Sequence, residues 1–361
     1  MITTLALARD TFSSDLRLEV EVETLRRAKR LLQAIYKKQL TLIVDPNGRI
    51  GLTGSKESIK QFFQEKPGND QRTAAANRAK QETRALFEAI KSDPHRYTIE
   101  SRHIVGAKLD IDLLKTLCDM GGPDSIVCSQ AHYSKLEKRL GNKLISLPDF
   151  PTESFRELIE ARTDSNVWHL DELTSEQFGQ LLKPVFNCAK HICIYDYVIG
   201  RLAAGPNPGG LERFAQGIHW LMKQWAKAGD YFKKEELRIY TGVRAQGGKK
   251  KVVENIEKYF LKGLKVKGIS ISVYIRDIGG LDEQHLIHER YFQACASRQF
   301  STVVLKFNGF DFISEKPGRP YIFNKYEVTK LGGRRDMLKM DARLQAYRRL
   351  KNYCEPIGAS Q

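Results

Sequence analysis

Apolar positions recur along this chain with two alternating periods. From Leu18 to Lys38, the residues Val20, Leu25, Ala28, Leu31, Leu32 and Ile35 fall at helical spacing and predict an amphipathic helix. Ahead of it, ITTLALARD is an apolar opening strand that ends at Asp10. LTLIVD (40–45) is a strand, and Pro46-Asn47-Gly48 turns the chain, because Pro presets φ and Gly accepts positive φ. Residues 55–64 and 69–91 read as helices, the second stopping before Asp93-Pro94. A helix over 110–119 leads through Gly121-Gly122-Pro123 into the strand SIVCS (125–129), and KLISLPDF (143–150) is a further strand. Strands separated by helices predict an α/β sheet with parallel pairing.

The second half repeats that logic without repeating the sequence. A helix over 174–190 precedes HICIYDYVIG, a strand ending near Asp196. The loop AAGPNPGG leads into a helix over 210–227, and LRIYTG (237–242) is a strand. AQGGKKK (245–251) is a basic loop that opens a helix over 251–263. ISISVYIRD (269–277), QHLIHERYF (284–292) and STVVLKFNGFDF (301–312) read as three more strands, and 335–351 as a basic helix. Around Asp164-Ser165-Asn166 two helix-favouring runs read as a junction. The expected architecture is α/β, with two α/β domains, each a mainly parallel or mixed sheet flanked by helices. Their expected bounds are 1–155 and 173–331, with a junction at 156–172 and a basic C-terminal helix in 332–361.

Composition narrows the partner. With 361 residues the chain exceeds one ordinary core. Lys and Arg number 59 against 43 Asp and Glu, a formal charge of +16. That balance favours a polyanion, first of all nucleic acid, because neutralising phosphates releases counterions. An anionic membrane surface fits the charge as well. The sequence has no apolar run of about 20 residues and no signal-peptide core at its start, so a cytoplasmic protein without a membrane span is expected. Six cysteines (118, 128, 188, 193, 295, 354) include no C-x-x-C pair and are read as reduced core thiols. Trp168, Trp220 and Trp225 are read as core residues.

The chemistry concentrates late in the chain. His288 stands two residues before Arg290, a spacing that puts both on one face of a strand. A cation can hold phosphate oxygens while an imidazole attacks or moves a proton. With Ile194-Tyr195-Asp196-Tyr197, His288-Glu289-Arg290-Tyr291 and Gly309-Phe310-Asp311, the order of strands over 172–331 resembles the phospholipase D-like fold, in its divergent H-x-R branch. The resemblance implies phosphate binding more than phosphodiester cleavage. The active family needs H-x-K-x4-D twice, whereas here Arg290 replaces the Lys, Cys295 replaces the Asp, and His191 and His219 lack a following Lys. A homodimer would complete such a half-site.

Carboxylates in the first half form a second pattern. Asp10 ends a strand, Asp110 and Asp112 open a helix, and Asp124 precedes SIVCSQ. Residues 1–150 resemble the PIN-like nucleases, in which such acids hold Mg²⁺ or Mn²⁺ at the carboxyl edge of a parallel sheet and activate water. The resemblance implies metal ligation by Asp10, Asp110 and Asp124, with Glu21 or Glu23 as the middle acid. Ser129-Gln130 stands where that pattern has a late Asp. Asp10, Asp45 and Asp110 read equally as turn or N-cap residues.

Basic stretches complete the candidates. Lys249, Lys250 and Lys251 lie at a helix start, without the P-loop pattern of nucleotide hydrolases. Arg334 and Arg335 open the C-terminal helix, whose apolar stripe (Met337, Met340, Leu344, Tyr347, Leu350) leaves a basic face. Three functions follow. The first is a metal-dependent nuclease with a phosphate-gripping second domain, in keeping with a bacterial toxin or phage-defence effector acting with a companion protein. The second is a catalytically inactive nucleic-acid sensor or scaffold, and the third an anionic-lipid-binding protein.

Overall fold

Alternating strands and helices of the first half assemble a wholly parallel sheet. The computed structural model describes residues 3–8, 11–12, 18–36, 40–44, 71–92, 98–100, 110–119, 123–163, 166–187, 189–228, 234–244, 248–281, 287, 289–295, 301–314, 322–331 and 334–359. The chain divides into two units, residues 2–163 and, in the main, 164–361.

In the first unit the order is β1 (Thr3–Leu7), α1 (Leu18–Tyr36), β2 (Leu40–Val44), α2 (Gln71–Ser92), β3 (Thr98–Glu100), α3 (Asp110–Asp119), β4 (Ser125–Cys128), α4 (Gln130–Leu140), β5 (Leu144–Ser146) and α5 (Glu153–Thr163). The sheet order is β3-β2-β1-β4-β5, and every pair is parallel. Strand order reverses between β1 and β4, the switch point at which open α/β sheets leave a crevice at their carboxyl ends. The stripe Leu25, Ala28, Leu31, Leu32 and Ile35 of α1 is buried with Leu5, Leu7, Leu40 and Leu42 of the sheet. Phe87 and Ile90 of α2 belong to that core, with Phe150, Phe155 and Ile159 from the end of the unit, and Lys29 pairs with Glu82 across the two helices. The helix expected over 55–64 lies outside the described residues.

In the second unit β6 (Asn166–His169), α6 (Ser175–Asn187), β7 (His191–Tyr195), α7 (Tyr197–Ala204) and α8 (Leu211–Lys227) precede β8 (Glu236–Val243) and α9 (Lys249–Asn255). Then come β9 (Ser270–Asp277), β10 (Arg290–Cys295), β11 (Ser301–Phe307), β12 (Ile313–Ser314), β13 (Ile322–Phe323), β14 (Glu327–Lys330), α10 (Arg334–Arg348) and β15 (Ile357–Ala359). The eight-stranded sheet runs β15-β9-β8-β7-β10-β11-β14-β6. Strands β7, β8 and β9 are parallel to one another, and the others join antiparallel. Both units are therefore α/β, one sheet parallel and one mixed.

Register builds one face of this sheet from aromatics. Tyr291, Tyr195, Tyr240 and Tyr274 stand opposite one another on four adjacent strands. Tyr195 stacks on Tyr240 and Tyr240 on Tyr274, each pair with ring centroids 5.0 Å apart. Leu344 and Tyr347 of α10 close over this row, and the Arg348 guanidinium lies 5.6 Å above Tyr195 and Tyr240. A separate aromatic cluster joins α6 and α8, where Phe178 stacks on Trp220 at 5.5 Å and Phe312 meets both rings edge-on.

Three sequence expectations are corrected. The two units part after Thr163, inside the expected junction at 156–172, but only its first run is helical: 156–163 complete α5, whereas Asn166–His169 form an edge strand paired with β14. Of the strand placed at 284–292, residues 284–286 and 288 lie outside the described residues; the described strand runs from Arg290, where pairing with β11 starts, to Cys295, and pairs with β7 from Tyr291. The run 301–312 leaves the sheet after Phe307, and residues 308–312 pack against α8 instead.

Candidate functional site

Antiparallel addition decides what meets at the carboxyl end of β7. Strand β10 runs against β7, so its first residue, Arg290, arrives where β7 ends and Asp196 follows. Strand β11 runs against β10, so its last residues return to the same edge and deliver Gly309 and Asp311. The three motifs that the sequence singled out thus share one edge.

Asp196 is 1% exposed and caps α7, its Oδ1 accepting from the Val198 amide at 2.7 Å. Its Oδ2 lies 3.9 Å from Nε of Arg290, and neither atom has a hydrogen-bond partner. Burial pushes the Asp196 carboxyl up to about 7, against the pull of Arg290 and of the Val198 amide, and with a further push from Asp311. Asp311 accepts a hydrogen bond from the Tyr326 hydroxyl at 3.1 Å. A Cβ on Gly309 would sit 2.5 Å from Oδ1 of Asp311, so only glycine lets this carboxylate fold back. Glu289, beside Arg290, takes hydrogen bonds from Lys306 and Tyr291; burial opposes its charge, but those bonds outweigh it and hold the carboxyl below its usual range.

Asp196 is out of reach of any ligand, whereas the Arg290 side chain is 27% exposed. The buried carboxylate is therefore a positioning residue: it attracts the guanidinium across 3.9 Å without a hydrogen bond, while part of the Arg290 side chain stays exposed. A guanidinium oriented in this way suits phosphate, which it meets with paired N–H donors.

A basic surface follows the carboxyl end of β8. Val252, Ile256, Phe260 and Leu264 are buried at four-residue spacing and anchor the segment from α9 through a π turn (Ile256–Phe260) and a 3-10 turn (Leu261–Gly263). Between them Lys249, Lys250, Lys251, Lys258, Lys262, Lys265 and Lys267 are all exposed, with Glu254 and Glu257 the only acids from 249 to 267. Asn255 ties the segment to α7 by donating to the Ala203 carbonyl at 2.9 Å. Lys249 stands 5.5 Å above the Tyr353 ring, whose backbone amide bonds Ile275 near the end of β9. Lys249–Lys251 thus lie at the same carboxyl edge as Arg290. Beyond the lysines at the helix start, those at 258–267 are legible from the four-residue apolar spacing that turns the remaining positions outward.

Of the acids expected to hold a metal in the first unit, Asp124 alone has a described side chain. Asp124 precedes β4 and lies at the amino edge of the sheet, opposite the edge where strands end. There its carboxylate accepts from the Thr4 amide at 2.7 Å and the Thr4 hydroxyl at 2.9 Å. Asp124 is corrected to a structural residue, because in a parallel sheet a residue before a strand and one after a strand sit at opposite edges. Asp10 lies outside the described residues, as do the side chains of Asp110 in α3 and of Glu21 and Glu23 in α1. Among the described residues no group of three His, Cys, Asp or Glu is placed to hold a metal ion, so no step is routed through Mg²⁺ or Mn²⁺ here. Asp124→Ala removes two hydrogen bonds to Thr4 and is expected to cost about 1–3 kcal/mol, read as faster amide exchange in β1 and β4.

His288 also lies outside the described residues, and so do the side chains of Arg334 and Arg335. The basic face expected of α10 is not wholly free: Arg348 turns inward and donates to the Tyr195 hydroxyl and the side-chain amide oxygen of Gln293. Gln293 in turn donates to Asp341 at 2.8 Å, which locks α10 to the sheet. No disulfide joins the described cysteines, of which Cys128, Cys193 and Cys295 are buried. No described helix is long and apolar enough to cross a membrane. Compared with protein-family models, curated proteins and solved structures, the chain matches none.

Proposed function

We propose that this protein binds nucleic acid through the carboxyl edge of β7–β8, with the lysines of 249–267 lying along the phosphates and Arg290 gripping one of them. The observation that carries this reading is the local charge: seven exposed lysines against two glutamates on one ordered segment. Among the described residues the one ion pair of Lys249–Lys251, Lys250 with Glu254 at 4.0 Å between exposed groups, contributes little. Binding to labelled single- and double-stranded RNA and DNA tests it. Replacing Lys249, Lys250 and Lys251 together by Ala is expected to weaken binding about 100-fold at physiological salt, without regard to sequence. Unchanged affinity would move the interface elsewhere.

Phosphodiester cleavage at the same edge is the second reading, and the observation favouring it is Asp196. A buried carboxyl that titrates near neutrality beside a guanidinium is a common mark of a functional site. Cutting of labelled RNA and DNA with Mg²⁺, with Mn²⁺ and with chelator separates the cases. Metal-independent cutting lost in His288→Ala supports cleavage here. Metal-dependent cutting lost in Asp10→Ala places it in the first unit, and no cutting leaves binding alone.

A further inference from the structure

The first unit carries a cavity that the nucleic-acid reading does not use. Its volume is about 440 Å³, within the roughly 300–1,000 Å³ typical of small-molecule sites. Helix α1 contributes Arg27 and Arg30, and α5 contributes Arg156 and Ile159; Phe150 and Pro151, just before α5, complete the wall. Phe150 and Ile159 are buried members of the core, so the apolar side of the cavity is fixed. Phe155 packs edge-on against Phe150 at 5.8 Å behind it. Arg27 is held in place by donating to the Phe150 carbonyl at 3.3 Å. Arg30 and Arg156 are exposed, and among the described residues neither is paired with a carboxylate.

Arg30 and Arg156 bring like charges to one cavity with no carboxylate paired to either among the described residues, and Glu160 is the only acid in the described lining. Such an arrangement is relieved by an anion, and a phosphate is the anion that guanidinium forks meet best. A phosphate alone would leave the wall of Pro151 and Ile159 uncovered. The cavity therefore suits a ligand with a phosphate at one end and a flat, weakly polar body at the other.

We infer that this cavity binds a nucleoside phosphate, with its phosphate between Arg27, Arg30 and Arg156 and its base or sugar against Pro151 and Ile159. The same chemistry is presented by a free nucleotide and by the phosphorylated end of a strand. The inference stands apart from the lysine-rich edge, which belongs to the other unit.

The test is calorimetric titration of the full chain with AMP, adenosine and inorganic phosphate. AMP is expected to bind, with adenosine and phosphate each at least tenfold weaker. Arg30→Glu and Arg156→Glu, both at exposed positions, are each expected to weaken AMP at least tenfold, while Arg84→Glu on α2 leaves it unchanged. No heat from AMP at millimolar concentration, equal binding of adenosine, or AMP affinity unaltered in both reversals would overturn the site. A 5′-phosphorylated oligonucleotide that outcompetes its 5′-hydroxyl form identifies the ligand as a strand end; AMP binding without that preference identifies it as a free nucleotide. Because the lysine variant is read on labelled RNA and DNA and this site on AMP, either interface can fail without the other.

Discussion

Gly217→Ala is expected to destabilise the second unit by about 3 kcal/mol or more, the upper end of what overpacking costs. Gly217 lies in α8, and a Cβ there would come 1.8 Å from the carbonyl oxygen of Phe310 and 3.3 Å from the Phe312 ring. The obstacle is backbone, so no rotamer change relieves it. Ala favours a helix over Gly by about 1 kcal/mol, which offsets only part of the clash. Residues 308–312 would have to move, and they carry Asp311 and the wall of the aromatic cluster. All three tryptophans, Trp168, Trp220 and Trp225, belong to the second unit, so intrinsic fluorescence during denaturation reads that unit alone. Gly209→Ala, where an added Cβ meets nothing within 4 Å, is the control and should be near neutral. A denaturation midpoint for Gly217→Ala equal to that of the control would show that α8 does not approach residues 308–312 as closely as described.

The second large effect is a pH dependence centred on Asp196. Its folded pKa of about 7 lies above the unfolded value near 4. Between those values the folded state holds a proton that the unfolded state has lost, so stability falls as pH rises from about 4 to about 7. Three pH units correspond to a loss of about 4 kcal/mol, complete above pH 7. Asp196→Asn keeps a side chain able to cap α7 and removes the charge. Relative to wild type the variant should therefore gain stability between pH 5 and pH 8, by about 3 kcal/mol across that range. Tryptophan-monitored denaturation at the two pH values measures it. A difference between variant and wild type that does not change with pH would mean that Asp196 is ionised at little cost, with Arg290 offsetting its burial, and the raised folded pKa would go with that result.

Local signals and distant pairings divide what the sequence could reveal. Helix α1 was legible because its stripe from Leu25 to Ile35 repeats at helical spacing and needs no other part of the chain to be recognised. Strands β7, β8 and β9 were legible as apolar runs bounded by turn residues. Strand β6 was not: Asn166–His169 is four residues long, and its partner β14 lies about 160 residues later. The meeting of Asp196, Arg290 and Asp311 was suggested by motif order, but only the antiparallel register of β10 and β11 puts them at one edge. Asp124 was misplaced although its position was visible, since a residue before a strand belongs to the amino edge. The arginine cavity left no motif, because α1 and residues 150–160 are over a hundred positions apart.

The salt dependence of nucleic-acid binding tests the central claim most directly. The logarithm of affinity for a short duplex, plotted against the logarithm of salt concentration, should fall linearly for the wild type, with a slope of about −0.9 per phosphate neutralised. Replacing Lys249, Lys250 and Lys251 by Ala should make that slope shallower by about three, one for each lysine removed. A wild-type affinity that ignores salt, or a slope that the three substitutions leave unchanged, would contradict the assignment of this edge as the nucleic-acid interface.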